Sequence, residues 1–181
     1  MHDSRKTRQL AAAAVAGAAY AVLTVALAPI SYGALQFRVS EALCILPYFM
    51  PASTCGLFAG CLLANLMTGN VMDIVFGSLA TLLAARCTAL IGRRKHTLAN
   101  GALACFMPVI FNAVIVGAVI VGAYEGLDLF EHFDVYLLTA ASVGFGELVV
   151  LYALGLPLLR ALPGMKFFRS FLEKLGYGDR L

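Results

Sequence analysis

The sequence predicts an all-α integral membrane protein, a bundle of six transmembrane helices with both termini in the cytoplasm. Hydrophobic residues make up 61% of its 181 residues and charged residues 13%, whereas soluble domains carry roughly 25% charged residues. Apolar segments near the length of about 20 residues that crosses a bilayer recur along most of the chain. We therefore expect residues 1–181 to form a single membrane-embedded domain.

The basic residues predict the orientation, because cytoplasmic loops of membrane proteins are enriched in Lys and Arg. Twelve of the thirteen Lys and Arg residues fall on one side if both termini and the loop over residues 93–96 are cytoplasmic. The loops on the opposite side are acidic. Arg38 is the exception to this pattern, which makes it a candidate functional residue.

The first helix is predicted over about residues 7–28, because Pro29 disfavours helix at the residue before it. A cleaved signal peptide is the alternative, but the apolar run from Leu10 to Ile30 is longer than the core of such a peptide. Small residues four positions apart let membrane helices approach closely. They predict either internal packing or a face that docks another subunit: Ala12, Ala14, Ala16 and Ala18.

The next two helices are predicted over about residues 39–50 and 52–67, and both are short for a full crossing. The first contains Pro47, and the second contains Gly56 and Gly60. Proline and glycine are tolerated at membrane depth where neighbouring protein satisfies the backbone. A re-entrant pair is therefore the alternative to two separate spans.

Three longer helices are predicted over about residues 72–91, 98–124 and 135–159. The tail over residues 165–175 has apolar residues at positions i, i+3, i+4 and i+7, with Lys and Arg between them. This pattern predicts an amphipathic helix on the inner leaflet, with packing against the rest of the protein as the alternative.

Two polar residues are expected in the middle of the membrane. Asn112 and Glu147 each lie twelve residues from the outer end of their helix, which is ~18 Å at a rise of ~1.5 Å per residue. An unpaired carboxylate at that depth costs at least ~2.5 kcal/mol, so such groups face a cavity or a partner. Glu147 therefore binds a ligand or an ion, or makes a buried structural hydrogen bond.

The stretch over residues 31–43 is expected to lid and partly line a small-molecule site, because it places polar and aromatic side chains between apolar helices. Asn112 and Glu147 would form the floor of this site in mid-membrane. A local ion pair that pins the loop is the alternative for Arg38 and Glu41. The candidate residues at or near the outer surface are Tyr32, Gln36, Phe37, Arg38, Glu41, Asn65 and Asp73.

Several chemistries find no support in the sequence. It has no G-x-x-x-x-G-K-[ST] loop, so we expect no ATP site in this chain. The three histidines do not have the spacing of metal ligands. The five cysteines contain no C-x-x-C pair, and we expect them to behave as small apolar residues. No set of Ser, His and Asp suggests catalysis. We therefore expect a protein that is not an enzyme and holds neither metal nor cofactor.

The run YGALQFRVSEAL over residues 32–43 resembles the signature of the QueT family of queuosine-precursor transporters. One departure is Ala34, where the family more often has proline. Further segments are similar to the family over most of the chain: residues 56–65, 73–81, 112–113, 146–148 and 155–158.

The resemblance implies a substrate-binding S component of an energy-coupling factor (ECF) transporter in a prokaryotic plasma membrane. Such a protein is a six-helix cup that captures a solute outside the cell. It docks through its alanine-rich first helix on a transmembrane coupling subunit, and two cytoplasmic ATPases use the ATP. The expected cargo is a 7-deazaguanine base, as such or as an aminomethyl or cyano derivative, or queuine.

A guanine-like edge presents two hydrogen-bond donors and one acceptor. On this hypothesis Glu147 accepts from the ring N–H and the amine, while Asn112 or Gln36 donates to the carbonyl. Asp73 or Glu41 would hold an aminomethyl cation, and Tyr32 or Phe37 would stack on the ring. An ion-coupled secondary carrier for a nucleobase-like solute is the main rival, because it could also use Glu147.

Overall fold

The structure, a computed structural model, describes residues 2–32 and 36–181, and within these ranges the regular secondary structure is entirely helical. The all-α prediction is therefore confirmed for the described residues. Residues 33–35, which form part of the expected lid and include Ala34, lie outside the described part of the chain.

The helices begin and end close to the predicted positions, because hydropathy, proline and glycine are local signals. The last long helix continues to Gly164, beyond the predicted end at residue 159, and the first begins at His2. In chain order the helices are α1 (His2–Ala26), α2 (Ala28–Ser31), α3 (Val39–Phe49), α4 (Ser53–Leu66), α5 (Asp73–Ile91), α6 (Leu98–Tyr124), α7 (Phe133–Gly164) and α8 (Lys166–Leu175).

Within the described residues, α1, α5, α6 and α7 are long and apolar enough to cross a membrane. Helices α3 and α4 are shorter apolar helices. Their lengths are compatible with two short crossings and with a re-entrant pair. The bundle thus combines four membrane-length helices with a short pair between the first and second of them.

Several helices depart from regular α geometry. Helix α3 opens with a 3₁₀ segment over Val39–Ile45, longer than the three or four residues usual for such segments. Short π-helical segments occur at Asp73–Gly77 in α5, at Asn112–Val116 and Ile120–Tyr124 in α6, and at Leu151–Gly155 in α7. Helical π segments are frequent at functional sites. Two predicted site residues, Asp73 and Asn112, stand at the first position of such segments.

Helices α1 and α4 are in backbone contact through glycines. A Cβ atom added at Gly56 would lie 1.8 Å from the carbonyl oxygen of Ala13, and one at Gly60 would lie 2.2 Å from the carbonyl oxygen of Gly17. Lipid offers no hydrophobic drive for helix association, so such small-residue contacts hold membrane helices together. The small-residue face of α1 is therefore used at least partly for internal packing.

The chain termini meet at one end of the bundle. The side chain of Gln9 donates a hydrogen bond of 2.7 Å to the carbonyl oxygen of Leu175 in α8. Arg180 donates at 3.4 Å to the carbonyl oxygen of Ala89 near the end of α5. The N-terminal, the loop 93–96 and the C-terminal basic clusters therefore lie at the same end, which we call the basic end.

Helix α8 packs on the protein. Its residues Leu172 and Leu175 are buried in a cluster with Phe49 and Leu159. This is the packing that the sequence left as the alternative to a helix on the inner leaflet. Phe167 on the other side of α8 remains 83% exposed.

The substitution Gly56→Ala should lower the free energy of unfolding by about 1–3 kcal/mol, the usual cost of overpacking. The added methyl group would collide with the backbone of α1. Thermal unfolding of the purified protein in detergent measures the effect. Gly164→Ala is the matched control, because nothing lies within 4 Å of a Cβ atom there. An equal change in both variants would contradict the close packing of α1 and α4.

Candidate solute-binding site

A cavity of about 810 Å³ opens at the end of the bundle away from the basic end. It lies between α1, the segment that follows α2, the loop after α4, the last turn of α6 and the first half of α7. Its volume falls within the range of about 300–1,000 Å³ that is usual for small-molecule sites. Four of the predicted residues line it: Tyr32, Gln36, Arg38 and Asp73.

Arg38 is the central basic group of this cavity. Its side chain is only 2% exposed, and its guanidinium carbon lies 5.4 Å from the centre of the Tyr32 ring, within range of a cation–π interaction. The Nε atom is buried and has no hydrogen-bond partner. Gln36 has a φ of 41°, a left-handed backbone that is uncommon for a residue other than glycine. Such strain clusters at binding sites.

Asp73 supplies a carboxylate to the same cavity. The hydroxyl group of Tyr124 donates to its Oδ2 atom at 3.4 Å. The side-chain amide of Asn65 donates to its backbone carbonyl oxygen at 3.1 Å. Asn65 therefore supports the first turn of α5 and does not line the cavity. Tyr124 lines the cavity together with Asp73, and it was not among the residues predicted from the sequence.

Glu41 is fully buried and lies in a separate hydrogen-bond network. Its carboxylate accepts a hydrogen bond from the hydroxyl group of Tyr20 in α1. The thiol of Cys44 donates to it at 3.0 Å, and the hydroxyl of Thr81 in α5 lies at 3.4 Å. Among the described residues, these groups are the hydrogen-bond partners of the Glu41 side chain. Glu41 forms no ion pair with Arg38 there, which was the alternative that the sequence offered.

Asn112 and Glu147 come together in the interior of the bundle, and neither of them lines the cavity. The side-chain amide of Asn112 donates to Oε1 of Glu147 at 3.0 Å, and both residues are buried. The Oδ1 atom of Asn112 and the Oε2 atom of Glu147 have no hydrogen-bond partner. Glu147 lies five residues beyond the cavity-lining Ser142 in α7, which is ~8 Å deeper at a rise of ~1.5 Å per residue.

The remaining predicted residues occupy other positions. Phe37 is half-buried but does not line the cavity. In α1, Ala16 is buried and Ala12 is half-buried against the core, whereas Ala14 and Ala18 are exposed.

Sequence reasoning missed Tyr20, which donates to Glu41, and Thr24, which contacts Ser40. Tyr20 and Thr24 are four positions apart in α1 and therefore lie on the same face. Thr24 contacts Ser40 of α3 at 2.6 Å between their hydroxyl oxygens. This polar face within an alanine-rich helix is the signal that could have identified them. In the part of the chain that the structure describes, no group of three or more potential metal ligands comes together.

The model of the QueT transporter family matches residues 10–163. The chain belongs to the QueT transporter family. The match includes the predicted substrate-binding residues from Tyr32 to Glu147 and ends before α8. The matched family is described as a family of transporters.

A curated relative of this QueT family member is the queuosine precursor transporter QueT of Lactococcus lactis subsp. cremoris (strain MG1363). The two chains are 35% identical over 79 residues, which are 42% of this chain and 47% of the relative. The matched region thus spans about half the length of the relative. A comparison with solved structures found no match.

Removing the hydroxyl group of Tyr20 should destabilise the protein. Tyr20→Phe deprives the buried carboxylate of Glu41 of a donor, and an unsatisfied buried group of this kind costs about 1–3 kcal/mol. The control is Tyr136→Phe, whose hydroxyl bonds the carbonyl oxygen of Val114 at the protein surface. We expect a lower melting temperature for Tyr20→Phe alone, and a loss of the same size in both variants would contradict the network.

Proposed function

We propose that this QueT family member is the substrate-binding S component of an ECF transporter, and that it captures a queuosine precursor from outside the cell. The solute is a 7-deazaguanine base or queuine. The observation that carries the proposal is the set of buried polar atoms without partners at and below the outer cavity. The family and the printed name of the relative support the class of solute.

The unpaired atoms complement the edge of a guanine-like base. Oδ1 of Asn112 and Oε2 of Glu147 are acceptors, and Nε of Arg38 is a donor. The side-chain NH₂ group of Asn112 donates to Oε1 of Glu147, which leaves the Oδ1 atom of Asn112 available to a donor of the solute. The ring N–H and the exocyclic amine supply two donors, and the ring carbonyl accepts from Arg38. This pairing differs from the sequence-based hypothesis, in which Asn112 or Gln36 was the donor.

The rest of the cavity suits the remainder of such a solute. The rings of Tyr32 and Tyr124 both line it and provide apolar faces for a flat heterocycle. Asp73, with Glu125 at the same cavity, offers negative charge to an aminomethyl group. Unpaired buried acceptors cost about 1–3 kcal/mol each, so a ligand that donates to them recovers that free energy on binding.

The orientation follows from the basic end. Lys and Arg concentrate on the cytoplasmic side of membrane proteins, so the basic end faces the cytoplasm and the 810 Å³ cavity faces outward. In this arrangement α1, α3, α4, α5, α6 and α7 make six crossings. The exposed residues Ala14 and Ala18 of α1 offer a smooth surface to a transmembrane coupling subunit.

The energy for uptake comes from partner subunits. The sequence contains no P-loop, and in the proposed S-component arrangement two cytoplasmic ATPases bind and hydrolyse the ATP. This chain binds the solute, and the coupling subunit links ATP hydrolysis by the ATPases to conformational changes of this chain.

Binding of radiolabelled 7-deazaguanine, its aminomethyl and cyano derivatives, queuine and guanine to the purified protein tests the solute class. Glu147→Gln should weaken binding of the preferred compound about tenfold, because it replaces an acceptor oxygen by an amide group, and a buried hydrogen bond left unmade costs about 1–3 kcal/mol. Glu131→Gln, which changes an exposed acid outside the cavity, is the control. Equal affinity of Glu147→Gln and the wild type would remove Glu147 from the site.

Reconstitution in liposomes tests the energy source. The chain alone should bind the solute without accumulating it against a gradient, whereas co-reconstitution with a coupling subunit and two ATPases should produce ATP-dependent accumulation. Uptake driven by a proton or sodium gradient in liposomes that contain only this chain would favour the ion-coupled carrier and refute the proposal.

A further inference from the structure

A second cavity, of about 340 Å³, lies at the basic end of the bundle. It is built from the end of α3, the loop between α5 and α6, the start of α6 and the last turns of α7, and Leu181 also lines it. It is far from the solute cavity, because α6 begins beside the second cavity at Leu98 and ends beside the first at Tyr124. Helix α6 is 27 residues long, which corresponds to ~40 Å.

The polar groups of this cavity are suited to an anion. Arg160 from α7 and His96 from the loop line it together with Tyr48. The ring of His96 rests against the rings of Tyr48 and Phe49, with centroids 4.8 and 5.8 Å apart. Tyr48 is 1% exposed, and its hydroxyl group is buried without a hydrogen-bond partner. The Tyr48 hydroxyl is thus a buried donor without a partner, and it belongs to a cavity that Arg160 also lines. Such a combination indicates a binding site for a hydrogen-bond acceptor that carries negative charge.

The surroundings of these polar groups favour the anionic head group of a membrane lipid. Leu98, Leu156 and Leu159 form apolar walls beside the polar groups. Further basic residues lie at the same end of the bundle but do not line the cavity: Arg93, Arg94, Lys95, Lys166 and Arg169. Basic pockets between transmembrane helices on the cytoplasmic side bind acidic lipid head groups. A free anion would use the polar groups but would leave the apolar walls uncovered.

We infer that this cavity binds the phosphate group of an anionic phospholipid. Arg160 pairs with the phosphate, the hydroxyl group of Tyr48 donates to one of its oxygens, and the apolar walls cover the glycerol and the first methylene groups. This site is independent of the solute cavity, and it requires neither a queuosine precursor nor partner subunits.

Native mass spectrometry and thermal unfolding of the full chain in neutral detergent test the inference, with phosphatidylglycerol, phosphatidylcholine and inorganic phosphate as probes. Phosphatidylglycerol should remain bound and raise the melting temperature more than phosphatidylcholine does. Arg160→Gln should weaken its retention about fivefold, the usual share of one basic residue near an anionic lipid. Tyr48→Phe, a nearly isosteric change, should also weaken it.

Arg93→Gln is the matched control, because Arg93 is an exposed arginine of the same end that does not line the cavity. Its retention of phosphatidylglycerol should stay close to that of the wild type. If Arg93→Gln and Arg160→Gln lost retention of phosphatidylglycerol equally, general surface charge would explain the binding, and the inference would be overturned. It is also overturned if inorganic phosphate stabilises the protein as much as the lipid does, or if Tyr48→Phe and Arg160→Gln both retain the lipid like the wild type.

Discussion

The carboxylate of Glu41 is fully buried in an otherwise apolar bundle, and its hydrogen bonds tie three helices together. Tyr20 reaches it from α1 and Thr81 from α5, while Cys44 approaches it from the next turn of α3. A buried carboxylate without such partners costs several kcal/mol. The helices that supply the donors are therefore held in one relative rotation, and the position of Arg38, three residues before Glu41, depends on that arrangement.

The glycine contact between α1 and α4 makes this network possible. Because Gly17 and Gly60 carry no side chains, the two backbones approach until atoms of one helix occupy the Cβ positions of the other. Tyr20 lies one turn beyond Gly17 and is completely buried. Close backbone packing below the 810 Å³ cavity thus places a polar face of α1 against the start of α3.

The two buried glutamates differ in what surrounds them. Glu41 is surrounded by donors from its own protein, which suits a structural role. Glu147 has a partner on one oxygen, Asn112, and none on the other. A polar pair that is only half satisfied at membrane depth is the arrangement expected where a solute completes the hydrogen bonds. The π segment that begins at Asn112 disturbs the regular backbone of α6 at this same position.

The sequence by itself determined the helical class, the approximate helix bounds and the basic end, because hydropathy, proline, glycine and charge act locally along the chain. It also identified the pair Asn112 and Glu147 by depth, and the family by its motifs. Only the tertiary structure decided that Tyr20, 21 residues away, is the partner of Glu41. It likewise decided that Ala16 faces inward while Ala14 faces outward. Both outcomes depend on how each helix is rotated against its neighbours, and that rotation is set by contacts between residues distant in sequence.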